Sequence, residues 1–196
     1  MQHAFSPVAV LLLAVLAVQP YAAEIIATNT AAAVTAAPPP SVFDQWQAEE
    51  ATNPTPRDTI LLVGSSTFTR WQSVQQMMAP YAVRNRGFGG STMAQVLLYT
   101  NHFLQYQSRL VVVYEGDNDF CNLTFTPHAF LAECRRFTEL MLAAVPGRDV
   151  LFLSVKPSPS RWCFFERQSA ANELLRAYAL RTPRVHFIDI VPALLG

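Results

Sequence analysis

The chain has 196 residues, is 51% apolar and carries 14 basic against 14 acidic side chains. That length and balance suit one domain with a real hydrophobic core. The basic residues are scattered, Arg135 and Arg136 alone being adjacent, with no stripe that would displace counterions from a phosphate backbone, so no nucleic-acid partner is expected.

The first element in chain order is an apolar run, Val8 to Val18. It is long enough for the core of a signal peptide and well short of the roughly 20 residues that span a bilayer as a helix. Ala22 and Ala23 offer a cleavage point, although Tyr21 suits a signal peptidase poorly and no Lys or Arg precedes the run. Residues 1–23 are therefore expected to be a signal peptide, which implies a periplasmic or secreted protein with no stable membrane span. Residues 24–40 are Ala/Thr-rich and end in Pro38-Pro39-Pro40, a composition that reads as a linker. The domain is expected to fill residues 41–196, opening with a short helix capped by Ser41 and carrying Phe43 and Trp46.

Five β-type runs follow: Thr59 to Val63, Ala82 to Asn85, Leu110 to Tyr114, Val150 to Val155 and Val185 to Ile190. Helical period lies between them. Met93, Val96, Leu97 and Phe103 share one face after the second run, and Phe130, Leu131, Phe137, Leu140, Met141 and Leu142 share one after the third. Ser91 and Thr126-Pro127 are suitable helix starts. Alternation of this kind implies an α/β fold, with parallel strands and helices on both faces.

Three cysteines leave one unpaired under any pairing. Cys121 and Cys163 follow neighbouring strands and are placed to meet above the sheet, while Cys134 lies in a helix; three free thiols are the preferred expectation. No Cys/His spacing fits a zinc site, so no metal is expected, and nothing implies a cofactor.

Ligands of such sheets sit outside the carboxyl ends of the strands. Of seven glycines, Gly64, Gly87, Gly89, Gly90 and Gly116 fall just after the first three runs, where they let backbone amides approach a bound group. The loops there read Gly64-Ser65-Ser66, "NRGFGGS" (85–91) and "EGDND" (115–119). Each alone is compatible with an ordinary turn.

In this order and spacing the three loops resemble the first three sequence blocks of the SGNH/GDSL hydrolases, in the branch with G-S-S-x-x-x-R-W in place of G-D-S-L. The likeness continues through "KPSPSRW" (156–162) and "FIDIVPALL", so it covers Trp46 to Leu195. The resemblance implies a three-layer, flavodoxin-like fold and hydrolysis of carboxylic esters, commonly of lipids or acylated sugars. By position, Ser66 matches the nucleophile, and Gly90 and Asn118 match the donors that complete an oxyanion hole with the Ser66 amide. Ser65 stands where the Asp of G-D-S-L would be. A serine attacking an ester creates an oxyanion, and each fixed donor aimed at it is worth roughly 3–4 kcal/mol. A helix starting at Ser66 would add free amides there. Arg70 is a candidate for steering an anionic substrate, with pairing to Asp117 or Asp119 as the preferred expectation.

The family's base is a histidine three residues after an aspartate, beyond the fifth strand. No Asp-x-x-His occurs in the 196 residues, so the resemblance implies a chain ended before that block, lacking the final helix and at best a very poor esterase. Among the histidines, His3 lies in the expected signal peptide, His102 late in a helix, and His186 in the last strand; His128 alone is near the third loop and reads as an exposed first-turn residue. Asp189 belongs to the end of the last strand, not to a triad. Without a covering helix, the first and last strands are expected to expose apolar surface and invite self-association. A non-catalytic binding protein for an acyl or acetylated-sugar ligand is the alternative. A nucleotide or flavin binder is disfavoured, since neither G-x-x-x-x-G-K-[ST] nor G-x-G-x-x-G occurs and Lys156, the sole lysine, is far along the chain from the first glycine turn. Phe68, Trp71, Phe88, Phe120, Trp162 and Phe164 suit either an acyl chain or the core.

Overall fold

The computed structural model describes residues 40–195; the expected signal peptide and residues 24–39 of the linker lie outside the described residues. Five strands form one sheet, β1 (Ile60–Gly64), β2 (Val83–Gly87), β3 (Leu110–Tyr114), β4 (Asp149–Leu153) and β5 (Val185–Ile188), in the order β2-β1-β3-β4-β5. All four pairings are parallel. Each strand lies within two residues of its expected span.

β1, β3 and β4 read as nearly unbroken apolar runs because a parallel sheet covered on both faces buries every side chain. Alternate residues serve the two faces. Leu61, Val63, Val111, Val113, Val150 and Phe152 join one cluster, and Ile60, Leu62, Val112, Tyr114, Leu151 and Leu153 the other. The first cluster is covered by α1 (Pro40–Thr52), α4 (Met93–Leu98), α5 (Thr100–Leu104), α6 (Pro127–Ala144) and α7 (Phe165–Arg181). On the other face lie the short α2 (Ser66–Thr69), α3 (Val74–Met77) and α8 (Val191–Leu195), through Phe68, Trp71, Val74, Met78, Ile190 and Leu194.

Several expectations need correction. α1 already includes Pro40, so Ser41 sits inside its first turn and is not its cap. Ser91 does not start a helix. Thr92 does, in a capping box in which Thr92 Oγ1 accepts from the Gln95 amide at 3.4 Å and Gln95 Oε1 accepts from the Thr92 amide at 3.1 Å. The helical face from Met93 to Phe103 is split at Tyr99 into α4 and α5. Thr126-Pro127 does start α6, with Thr126 Oγ1 accepting from the Ala129 amide. The first strand is not uncovered: Ile60 and Leu62 are buried beneath α2 and α3, whereas Phe187 and Ile188 of β5 are only half-buried.

β2 is the departure from an apolar pattern. Its sequence, VRNRG, buries Arg86 at one edge of the sheet. The guanidinium is held by Glu49 of α1 at 2.9 Å and the Tyr106 hydroxyl at 2.7 Å, and lies over the rings of Trp46 and Tyr106. Glu49 also pairs with Arg84. A charge can be buried here because it is paired and stacked, and α1 covers the sheet edge in consequence.

Candidate active site

From β1 the chain passes to β2 on one side and then crosses to β3 on the other, so strand order reverses at the carboxyl ends of β1 and β3. Such a switch point leaves a crevice between diverging loops. Ser66, Gly90 and Asn118 lie in the three loops around it.

The Ser66 turn is built on close backbone approach. A Cβ at Gly64 would stand 2.2 Å from the Tyr114 carbonyl oxygen, so only glycine lets β1 end against β3. The Ser65 amide then donates to Tyr114 O at 3.3 Å, and the Phe88 amide to Gly64 O at 2.8 Å, tying the first turn to both neighbours. Asn85 braces it further: its Nδ2 donates to Phe68 O at 2.6 Å, and its Oδ1 accepts from the Gly87 amide at 3.0 Å.

Ser65 is fully buried, while Ser66 is half-exposed and makes no side-chain hydrogen bond among the described residues. The helix that starts at Ser66 is a single turn ending at Thr69, too short for a large dipole. Arg70 is therefore its C-cap, exposed, and paired with neither Asp117 nor Asp119. Those carboxylates are engaged elsewhere, which corrects the expected pairing.

The second and third loops are bonded to each other at several points. Asn118 Nδ2 donates to Ser91 O at 2.8 Å. Ser91 Oγ donates to Glu115 Oε1 at 2.5 Å, and the amides of Met93 and Gly116 donate to Asp119 at 2.8 and 3.1 Å. Gly90, at φ +80°, is exposed, and its amide has no partner among the described residues. A non-glycine residue would be strained in that conformation.

Beneath the loops lies a row of buried acids. Burial pushes the Glu115 carboxyl well above the usual range, helped by the charge of Asp119 and opposed by the Ser91 hydroxyl. Burial also raises Asp119 to about 6 against the amide bonds it accepts, and Glu133 of α6 to about 7. Burial thus favours the neutral form of Glu115, since a neutral carboxyl can be buried at far lower cost than a charged one.

The far side of the third loop meets the segment after β4. Asp117 Oδ2 accepts from the Tyr114 hydroxyl at 2.7 Å and from Lys156 Nζ at 2.8 Å. The sole lysine, distant in sequence from the first turn, therefore sits at the same rim. Arg161 donates from Nη1 to Asp117 O at 2.6 Å and from Nη2 to Asn118 Oδ1 at 3.0 Å. Sequence reasoning gave no role to Arg161, Glu115 or Asn85. The "KPSPSRW" block was the signal for Arg161; for Glu115 and Asn85 nothing distinguished them from turn residues.

No described histidine is shown at this rim. His102 stacks on Phe43 at 4.5 Å, His186 Nε2 lies 3.2 Å from Asp149 Oδ1 at the amino end of β4, and His128 is exposed in the first turn of α6. Asp189 pairs with Arg176 at 2.7 Å and accepts from the Val191 amide, a strand-end role. All three cysteines are free thiols. Among the six aromatic candidates, Phe68, Trp71, Phe88 and Phe120 are core, Phe164 is half-buried, and Trp162 is 54% exposed and stacked on Phe165. No group of metal-ligating side chains occurs among the described residues, and none of their helices is long and apolar enough to cross a membrane.

No curated protein matches this chain. Among solved structures the fold is similar to a protein from Streptococcus pneumonia named for platelet activating factor, at 15% identity over 78% of this chain and 74% of that one, with a TM-score of 0.68. It is also similar to a GDSL-like lipase from Bacteroides thetaiotaomicron, at 21% identity over 75% and 77% with a TM-score of 0.59. A third similar structure is a mutant of an acetyl-xylooligosaccharide esterase from Geobacillus Stearmophilus, at 13% identity over 69% and 77% with a TM-score of 0.55. The GDSL-like Lipase/Acylhydrolase family model matches residues 41–196. With the reversed strand order and the three interlocked loops, this match shows that the chain belongs to the GDSL-like lipase/acylhydrolase family.

Proposed function

We propose that this is a serine ester hydrolase by lineage, with Ser66 as nucleophile and the amides of Ser66 and Gly90 and the carboxamide of Asn118 as oxyanion donors. The observation that carries this reading is the bond from Asn118 Nδ2 to Ser91 O at 2.8 Å. It ties the asparagine of the third loop to the residue that follows Gly90 in the second, at the switch point where β1 runs into the Ser66 turn. The substrate is an acyl ester of a lipid or an acylated sugar, exposed Trp162 supplying an apolar ring at the rim. Arg70, exposed and without an ion pair among the described residues, is free to meet an anionic group. The apolar run at Val8–Val18 supports export to the periplasm or beyond.

The 196-residue polypeptide turns esters over very slowly, because none of its described histidines is seen beside Ser66. Loss of the histidine base in a serine hydrolase costs on the order of 10⁶ in kcat, with a residual about 10³–10⁴ over water from the oxyanion donors and binding. A fluorophosphonate probe tests both halves of the proposal. Slow labelling confined to Ser66, lost in Ser66→Ala, supports it; rapid stoichiometric labelling refutes the slow-turnover half, and labelling that survives Ser66→Ala refutes the nucleophile.

The second reading, a binding protein for an acyl or acetylated-sugar ligand, is favoured by that same unpartnered hydroxyl. Supplying residues that bear Asp-x-x-His discriminates, since hydrolysis would then appear only under the first reading. We further propose self-association through the half-buried face of β5, where Phe187 and Ile188 lie. A monomer at all concentrations in sedimentation would contradict it.

A further inference from the structure

The carboxamide of Asn118 is symmetric in shape, and only its neighbours decide which end is the donor. Two of them are decisive. Arg161 Nη2, a cation that can only donate, lies 3.0 Å from Oδ1, and Ser91 O, which can only accept, lies 2.8 Å from Nδ2. Flipping the amide would set NH₂ against the guanidinium and oxygen against oxygen. Both contacts would become repulsive.

Arg161 is itself held. Its other terminal nitrogen donates to Asp117 O at 2.6 Å, its amide donates to Ser158 O at 3.0 Å, and its backbone (φ −126°, ψ 19°) leaves the helical region inside the 3-10 segment Pro159–Phe164. Asp117 is in turn fixed by Lys156 at 2.8 Å. The guanidinium is thus a rigid two-pronged fork across the backbone of Asp117 and the side chain of Asn118, a geometry a lysine ammonium cannot reproduce.

We infer that Arg161 is a positioning residue for the oxyanion donor: it selects the orientation of the Asn118 carboxamide and polarises it. This rests on the reading of Asn118 given above. One hydrogen of Nδ2 is used by Ser91 O, so the second remains for the oxyanion. A cation on the amide oxygen draws charge from the nitrogen and makes that remaining N–H a stronger donor, as linked hydrogen bonds strengthen one another in a low dielectric. Arg161 touches no reacting atom in this scheme; its effect passes through Asn118.

The experiment uses the full chain, ¹⁵N-labelled, with Arg161→Met and Arg161→Lys compared with wild type, each checked for an unchanged thermal transition. The Asn118 side-chain NH₂ resonances, assigned by their loss in Asn118→Asp, are read first. Expected are two separated, slowly exchanging protons in wild type, movement of both toward exposed-amide positions in Arg161→Met, and an intermediate pattern in Arg161→Lys. Ser66 phosphonylation is read second, and its rate should fall about tenfold in Arg161→Met, the size of one lost charge-assisted bond. In Arg161→Ala, whose truncation leaves room for the cation, millimolar methylguanidinium should restore part of the loss, and it should change nothing in wild type. Unchanged Asn118 resonances overturn the inference, as does a lowered rate that methylguanidinium leaves untouched, because a merely structural loop tie would behave so. If Ser66 reacts in no variant, the nucleophile reading fails, while the Asn118 resonances still decide the role of Arg161.

Discussion

The two ends of the sheet solve opposite problems with the same residue type. At the amino end, Arg148 is fully buried and donates to the carbonyls of Ser108 at 2.9 Å, Met141 at 3.0 Å and Tyr106. It pairs carbonyls of the loop before β3 and of the last turn of α6. At the carboxyl end, Arg161 is half-exposed and divides its bonds between a carbonyl and the side chain proposed as an oxyanion donor. Burial and three carbonyls make an arginine a rivet; partial exposure and a bond to a functional amide make it an adjuster. In the loop that Arg161 bonds, the buried Glu115 Oε2 and Asp117 Oδ1 have no partner among the described residues.

That contrast can be broken most forcefully at the amino end. Arg148→Met should destabilise the fold by about 4 kcal/mol, since it strands buried carbonyls. Urea unfolding measures this, and a loss under about 1 kcal/mol would mean that other donors or water replace the guanidinium. At the carboxyl end, Asn118→Ala should slow phosphonylation of Ser66 about 10²-fold, or about 3 kcal/mol, while the urea midpoint moves little. An equal loss of stability and labelling would make Asn118 a structural residue like Arg148.

Gly64→Ala lies between the two kinds of effect. Its new methyl would enter the Tyr114 carbonyl at 2.2 Å, and overpacking of this sort costs about 2 kcal/mol. Because the clash pushes the Ser66 turn, labelling should fall as well; full labelling in the folded variant would show that the turn tolerates the shift.

The smallest effect concerns a half-buried acid. Glu133 is raised to about 7, chiefly by burial. Between its unfolded value near 4.5 and 7 the folded state binds more proton than the unfolded one, so stability is full below the lower value and declines as pH rises through that window. Glu133→Gln removes the titration and should gain about 1 kcal/mol on wild type between pH 5 and pH 8, a figure reduced for the partial exposure of the group. Parallel melting curves for the two proteins across that range would deny the effect.

How far the sequence could be read varied by residue in a physical way. β1, β3 and β4 were legible because a doubly covered parallel strand must be apolar throughout, and Thr126-Pro127 because a cap and a first-turn proline are local chemistry. β2 was legible by position only. Nothing local said that Arg86 would be buried, since the partners that permit it, Glu49 and Tyr106, come from distant elements. For the same reason Ser91 does not act as a cap. Its hydroxyl had a better partner in Glu115, 24 residues away in the chain.

By itself the sequence determined the alternation of strand and helix, the glycine-rich rim, and the three motifs that mark the family, because each depends on residues near one another in the chain. Which side chains support those motifs was decided by tertiary structure alone. Asn118 acquires a defined donor end only where Arg161 and Ser91, 43 and 27 residues away, close on it. Directional bonds between loops exist only after the sheet has set the distance between them.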